Sequence, residues 1–220
     1  MADLPLNARM TPLALQAVVH DLKNALGSLE IELERLVVQQ GLTQVTFAHV
    51  HCSQLRMRLL GFLLMTSDEG RLTARVEAHN PEDFLCEVRA GFVIPADGPR
   101  LDMSIAADCP PTAFFDDRLV NLALHALLAN AARFARSRIV IGAAQGAGEG
   151  MDKNVAKSGL VLYCEDDGPG WGSGATPDGS GLGTSICDAV AAAHVSVRRR
   201  GRLVLTTSDL GGARAELHLP

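Results

Sequence analysis

Apolar residues in the first third of the chain recur with a helical period. Leu15, Val19, Leu22, Leu26, Leu29, Leu33 and Leu36 are spaced alternately four and three apart. At 100° per residue they draw one narrow stripe down a helix. Leu15, Leu22, Leu29 and Leu36 fall at a strict heptad spacing, the seam of a helical bundle. Thr11 can cap this helix, Pro12 suits its first turn, and the pattern fades at Gln39–Gly41, where glycine supplies a stop. A second helix is predicted from about Thr43 to Met65, with Val45, Ala48, Cys52, Leu55, Leu59 and Phe62 as its stripe. Two such helices joined by a short turn make an αα-hairpin. One hairpin cannot bury both stripes, whereas two copies can, as a four-helix bundle. The hydrophobic pattern therefore predicts an antiparallel helical hairpin that dimerises with a second copy.

The texture changes after the polar stretch Thr66–Gly70 (TSDEG), which reads as a hinge. Beyond it, short strand-like runs alternate with helical ones. Strands are predicted near Ala74–Ala78, at Arg100–Ile105, Arg138–Ala143 and Gly159–Glu165, and at Leu203–Ser208 and Ala213–Leu219. Helices are predicted near Pro81–Gly91, over Asp116–Ala135 and from about Gly181 to Ala193. The expected fold is α+β. A hairpin domain, residues 1–66, precedes an α/β-sandwich domain, residues 71–220, with helices on one face of a mixed sheet. No internal repeat is visible.

Composition narrows the function classes. Of the 220 residues 47% are hydrophobic and only 4% aromatic, so the core is aliphatic and base stacking is not favoured. The net charge of −5 provides no general field for a polyanion, and Arg198–Arg200 reads as a solvated edge. Nucleic acid is therefore not an expected partner. The five cysteines lie far apart without a C-x-x-C pair, which reads as reduced cytosolic thiols. The first ten residues lack an apolar core of signal-peptide type, and the densest apolar run, Leu59–Met65, is too short to span a bilayer. These features predict a cytoplasmic protein without a membrane segment.

Four segments carry candidate chemistry. On the first helix His20 lies roughly 150° from the leucine stripe, so it faces solvent, with Asp21 adjacent and Asn24 one turn on. An imidazole whose N–H is taken by a carboxylate is a potential nucleophile, and an amide one turn away can orient a water or a phosphoryl oxygen. Gly27 shares the meridian of His20 and leaves room for another backbone to approach. Read singly, these are also ordinary polar residues on a wet helix face.

The second segment, CEDDGPGW at Cys164–Trp171, follows a strand. Asp166 ends the apolar run, where it could accept from an exocyclic amine, and Gly168 and Gly170 let the backbone lie flat on a ligand. D-G and P-G are also plain turn formers. In the third, GSGLGTSI at Gly179–Ile186, glycines at a helix start can expose N–H groups to phosphate. Thr184 occupies the third-glycine position of a dinucleotide fingerprint, and no G-K-[ST] follows, so neither that fingerprint nor a P-loop is present. In the fourth, Leu122–Ala135, Asn130 interrupts an apolar helix. Its oxygen could ligate hydrated Mg²⁺, and Arg133 at i+3 could meet phosphate oxygens. Such a helix can equally turn one polar residue outward.

Taken together and in order, these segments resemble the sensor histidine kinases of two-component signalling. HDLKN at His20–Asn24 is similar to the H-box, ANAARF at Ala129–Phe134 to the N-box, EDDGPGW to the G1 box and GSGLGTSI to the G2 box. The ending GGARAELHLP is similar to the closing strand of that family's ATP-binding domain. The resemblance spans nearly the whole chain and implies an ATP-dependent histidine kinase. It implies His20 as phospho-acceptor, Asp21 as general base and Asn24 as the residue that positions water for dephosphorylation of a partner. It further implies Asn130 as the Mg²⁺ ligand, Asp166 as the adenine-binding carboxylate, and Gly168, Gly170, Gly181 and Gly183 as the nucleotide lining. The implied partner is the receiver domain of a response regulator.

The chain departs from the family pattern in three places. Ala25 stands where the H-box proline is expected, Ala126 stands for the first N-box asparagine (unless Asn121 replaces it), and the lid between G1 and G2 shrinks to Trp171–Asp178. These departures leave a histidine phosphotransferase that uses no ATP as the alternative. A non-catalytic adaptor, docking a receiver through an exposed patch that includes Ile31, is a third reading. A stand-alone ATPase would have no reason to carry the leucine-seamed hairpin. With about ten residues ahead of the first helix, the input is expected from a separate partner protein, a regulator's phosphate or the nucleotide supply.

Overall fold

The computed structural model describes residues 72–94, 97–146, 159–171, 182–197 and 199–220, together with scattered positions between 26 and 59. The chain divides into two compact units, Met1–Ser67 and Asp68–Pro220. In the first, every described position between 26 and 36 and between 48 and 59 is helical. The two stretches touch: Cys52 is buried and its thiol donates to the carbonyl of Leu26 at 3.3 Å. Other members of the stripes, Leu29, Leu36 and Leu55, are exposed in the single chain. Ile31 is exposed as well, as its place on the predicted wet face requires. The hinge Thr66–Gly70 lies outside the described residues, as does the lid beyond Trp171.

The second unit contains β1 (Glu77–His79), α1 (Pro81–Gly91), β2 (Arg100–Ile105), β3 (Ala113–Phe115), α2 (Asp117–Phe134), β4 (Arg138–Gln145), β5 (Leu160–Asp166), α3 (Leu182–Ala193), β6 (Arg202–Thr207) and β7 (Ala213–Leu219). Five strands form one sheet in the order β2-β4-β5-β7-β6. The β2–β4 pair is parallel and the other three pairs are antiparallel, so the sheet is mixed as expected. Packing places α1 on β2 and β4, α2 on β4 and β5, and α3 on β6 and β7.

Strand register explains the two sheet faces. Ile139, Ile141 and Ala143 lie level with Asp166, Cys164 and Leu162, which continue into Ala215 and Leu217. All of these are buried, and Cys187 of α3 bonds Ala123 of α2 above them. Burial at this depth pushes the Cys187 thiol up to about 12, so it is an inert core residue. On the opposite face the Tyr163 ring lies across Gly142, where a Cβ would overlap it. The Arg214 guanidinium sits 3.8 Å from the Tyr163 ring centroid and pairs with Glu165 and Glu216.

The helix starts were legible because their caps are ordinary chemistry. Asn80 accepts from the N–H groups of Glu82 and Asp83, with Pro81 at the first helical position. Asp116 accepts from Leu119 to open α2. Two expectations about strands need correction. The first strand begins at Glu77 instead of Ala74, and it pairs with an unforeseen strand, β3, outside the main sheet. Three residues after the Pro110–Pro111 pair are too short to show alternation. Phe115 is instead fixed by tertiary contact, fully buried between the rings of Phe84 and His79.

Candidate active site

The end of β5 delivers Asp166 to the helix-covered side of the sheet, where it is buried. Its Oδ1 accepts from Gly168 N–H at 2.7 Å and from Ala213 N–H at 3.3 Å. Among the described residues no donor reaches Oδ2. One oxygen is thus fixed by the backbone, and the other remains an acceptor for a ligand.

Two glycines make this arrangement possible. A Cβ on Gly168 would collide with the carbonyl of Phe134 at the end of α2 and with Asp166. A Cβ on Gly212 would collide with the carbonyl and carboxylate of Asp166 and with Gly168 N–H. Gly170 has φ +80°, a conformation that L side chains rarely adopt, and so turns the chain after the second segment. Trp171 then donates its indole N–H to the carbonyl of Arg214 at 3.2 Å, holding the start of the following loop to β7.

One helical turn before Phe134, Asn130 is half-buried. A Cβ added at Gly183 would lie 3.1 Å from its Nδ2, so the fourth and third segments meet at the α2–α3 contact. Among the described residues the Asn130 carboxamide makes no hydrogen bond. A half-buried amide without a partner among the described residues, beside a glycine in the first turn of α3, fits a hydrated Mg²⁺ carrying phosphates. Arg133 is exposed, its guanidinium 5.1 Å from the Phe134 ring centroid, with its charge open to an anion. The structure thus brings Asn130, Asp166, Gly168 and Gly183 into one neighbourhood around α2, the end of β5 and the start of α3. His20, Asp21, Asn24 and Gly181 lie outside the described residues.

Sequence reasoning missed three contributors. Gly212 was visible only as part of the closing strand. His194, one residue beyond the predicted helix, is buried and accepts Asp116 N–H at Nε2 (2.9 Å) while Nδ1 bonds the carbonyl of Val190 (2.8 Å). Asp167 was passed over in favour of its neighbour. Its carboxylate accepts from the backbone N–H groups of Arg136, Ser137 and Arg138, and from the Ser137 hydroxyl at 2.6 Å. It clamps the turn between α2 and β4 to the second segment. Its signal in the sequence was the doubled Asp ahead of the glycines.

Burial alone would raise the pKa of Asp167. The Ser137 hydroxyl and the N–H groups of Ser137, Arg138 and Arg136 outweigh that and hold the carboxyl well below the usual range. A depressed folded pKa contributes stability that is fully present above the unfolded value, about 3.9, and is lost as pH falls toward the folded value. The denaturation midpoint should therefore be nearly flat from neutral pH to about 5 and fall below about pH 4. In Asp167→Asn that acid-side slope should shrink without vanishing, because Asp116, Asp102 and Glu216 are lowered as well. Denaturant titrations at several pH values would show it, and an unchanged slope would contradict the clamp.

No protein-family model matches the sequence, and no curated protein matches it. Solved structures do. The chain is similar to full-length ShkA, crystallised in complex with AMPPNP, at TM-score 0.56 and 17% identity over 95% of this chain. It spans 45% of the length of that protein. It is similar to the histidine kinase AdeS of Acinetobacter baumannii at TM-score 0.50 and 16% identity, covering 91% of this chain and 96% of the AdeS structure. Identities this low show the fold: a mixed five-stranded sheet under three helices, as in a histidine-kinase ATP-binding domain.

Proposed function

We propose that this chain is a histidine protein kinase that autophosphorylates His20 from Mg-ATP and passes the phosphoryl group to an aspartate of a response regulator. The observation that carries the reading is Asp166, buried at a strand end with Oδ1 held by two backbone N–H groups and Oδ2 left over. An adenine amine is a donor of the kind that oxygen requires. Asn130, next to Gly183, would hold Mg²⁺, which neutralises phosphate charge when bound. Gly168, Gly170, Gly181 and Gly183 would let backbone approach the nucleotide, and Arg133 would meet its phosphates.

In this mechanism an imidazole nitrogen of His20 attacks the γ-phosphorus. The bond to the β–γ bridging oxygen breaks and ADP departs. Asp21 accepts the proton from the other ring nitrogen, which keeps the imidazole electron-rich as charge develops. The phosphohistidine N–P bond then transfers to a receiver aspartate by positioning rather than by further covalent help from the protein. Asn24 orients water for a separate reaction, hydrolysis of the receiver's phospho-aspartate to aspartate and inorganic phosphate. The exposure of Leu29, Leu36 and Leu55 in the single chain supports a homodimer through the hairpin, since covering apolar surface still open to water is favourable by about 25 cal/mol per Å². No helix among the described residues is long and apolar enough to cross a membrane, and a cytoplasmic location is part of the proposal.

The test is incubation of the full chain with γ-labelled ATP and Mg²⁺, followed by acid and base treatment. The expected label is acid-labile and base-stable, and His20→Ala removes it. Calorimetry that finds no Mg-ATP binding at millimolar nucleotide would overturn the kinase reading in favour of an ATP-independent phosphotransferase.

A further inference from the structure

At the edge of the main sheet the parallel register sets Arg100 of β2 level with Arg138 of β4. Like charges at paired positions on one sheet face repel each other. The fold relieves this with one carboxylate. Asp102 accepts from Arg100 Nε at 2.6 Å through Oδ1 and from Arg138 Nε at 2.9 Å through Oδ2. Two positive charges thus face one negative. Partial burial would raise the pKa of Asp102, but its bonds and charge contacts with Arg138 and Arg100 outweigh it and keep the carboxylate ionised.

The use of Nε matters. Each guanidinium turns one N–H to Asp102 and keeps its terminal Nη groups, to which no acceptor comes among the described residues. Asp102 therefore acts as a spacer that holds two forks side by side. An open surface depression of about 450 Å³, lined by Arg100, Asp102, Ser137 and Arg138, adjoins them. Planar forks that can each bond two oxygens match a phosphate better than point charges do.

We propose that the Arg100–Asp102–Arg138 pocket is a second anion site, separate from the nucleotide cleft, that takes the phosphate group of a small phosphorylated ligand. The site adjoins the cleft through the backbone. Ser137 and Arg138 N–H groups are the ones that Asp167 holds, and Asp167 follows Asp166 directly. A ligand that bridges Arg100 and Arg138 bears on the turn fixed to the adenine-binding carboxylate. Any resulting change in nucleotide affinity would be matched by an equal change in affinity for the anion.

The test follows the arginine Nε–Hε resonances of the full chain during titration with inorganic phosphate, with AMPPNP saturating the cleft and again without it. The arm without AMPPNP reads this pocket even if the kinase proposal fails. The expected result is a saturable shift of both Arg100 and Arg138, with affinity falling about tenfold or more in Arg100→Ala. Arg138→Lys keeps the charge but loses the fork, and it should weaken phosphate comparably while the amide spectrum stays native. Shifts that grow linearly without saturating would overturn the site. So would an equal response to chloride or succinate at matched ionic strength, or unchanged affinity in both folded variants.

Discussion

Asp166→Asn should lower affinity for adenine nucleotides on the order of 100-fold, about 2.7 kcal/mol, while leaving the fold in place. The asparagine oxygen can keep accepting from Gly168 and Ala213 N–H, because the alternative orientation would set an amide against two donors. That leaves Nδ2 where Oδ2 stood. A donor then faces the adenine amine, itself a donor, and the buried pair is both unpaired and repelled. The same reasoning predicts a change of preference. Inosine nucleotides present an oxygen where adenosine has its amine, so they should bind the variant better than adenosine nucleotides do, reversing the order of the parent. Calorimetry with AMPPNP and with its inosine counterpart, alongside a melting curve, measures both. Unaltered adenine affinity in a folded variant would remove Asp166 from the site, and with it the observation on which the kinase proposal stands.

Gly212→Ala should be nearly as damaging, by a different route. The added methyl would overlap the carbonyl and carboxylate of Asp166 and the N–H of Gly168. Most of these are backbone atoms that cannot rotate away, so the β6–β7 turn must retreat. Overpacking of this kind costs about 1–3 kcal/mol of stability. The retreat also takes Ala213 N–H from Asp166 Oδ1, so nucleotide affinity should fall together with the melting temperature. Gly211→Ala is the control. Gly211 has φ +93° with open space where its Cβ would go, so alanine there strains the backbone but crowds nothing at Asp166. It should lower the melting temperature and leave AMPPNP affinity close to the parent value. Equal loss of affinity in both variants would mean that the loss follows from destabilising the turn and not from the contact of Gly212 with Asp166.

What could be read from the sequence follows a physical division. α1, β2 and β7 emerge within the limits their patterns set, because caps, alternation and charged ends are local signals. Asp166 and Asn130 were legible for a related reason, each being a polar residue interrupting an apolar run. β3 was not legible, since three residues hold no period and Phe115 owes its place to Phe84 and His79. Gly212, Asp167 and His194 were hidden for another reason. Each matters through a residue distant in sequence: Gly212 through Asp166, Asp167 through the 136–138 turn, His194 through Asp116. A glycine or a carboxylate carries no local mark of the strand that will come to lie against it.

The His194 contact also sets the leverage of the site. α2 and α3 lie against each other in opposite directions. His194, just past the end of α3, is bonded to the residue that caps the start of α2, whereas Gly183 meets Asn130 at the other end of the pair. The helices are pinned at the end away from Asn130 and meet through a residue without a side chain at the end beside it. From His194 to Gly183 the helix forms an arm of roughly 16 Å at 1.5 Å per residue, so a tilt of about 5° at the pin moves Gly183 by about 1.4 Å. That motion would have to stretch the buried bond from the Cys187 thiol to the Ala123 carbonyl, partway along the arm, which therefore limits the clearance at Asn130.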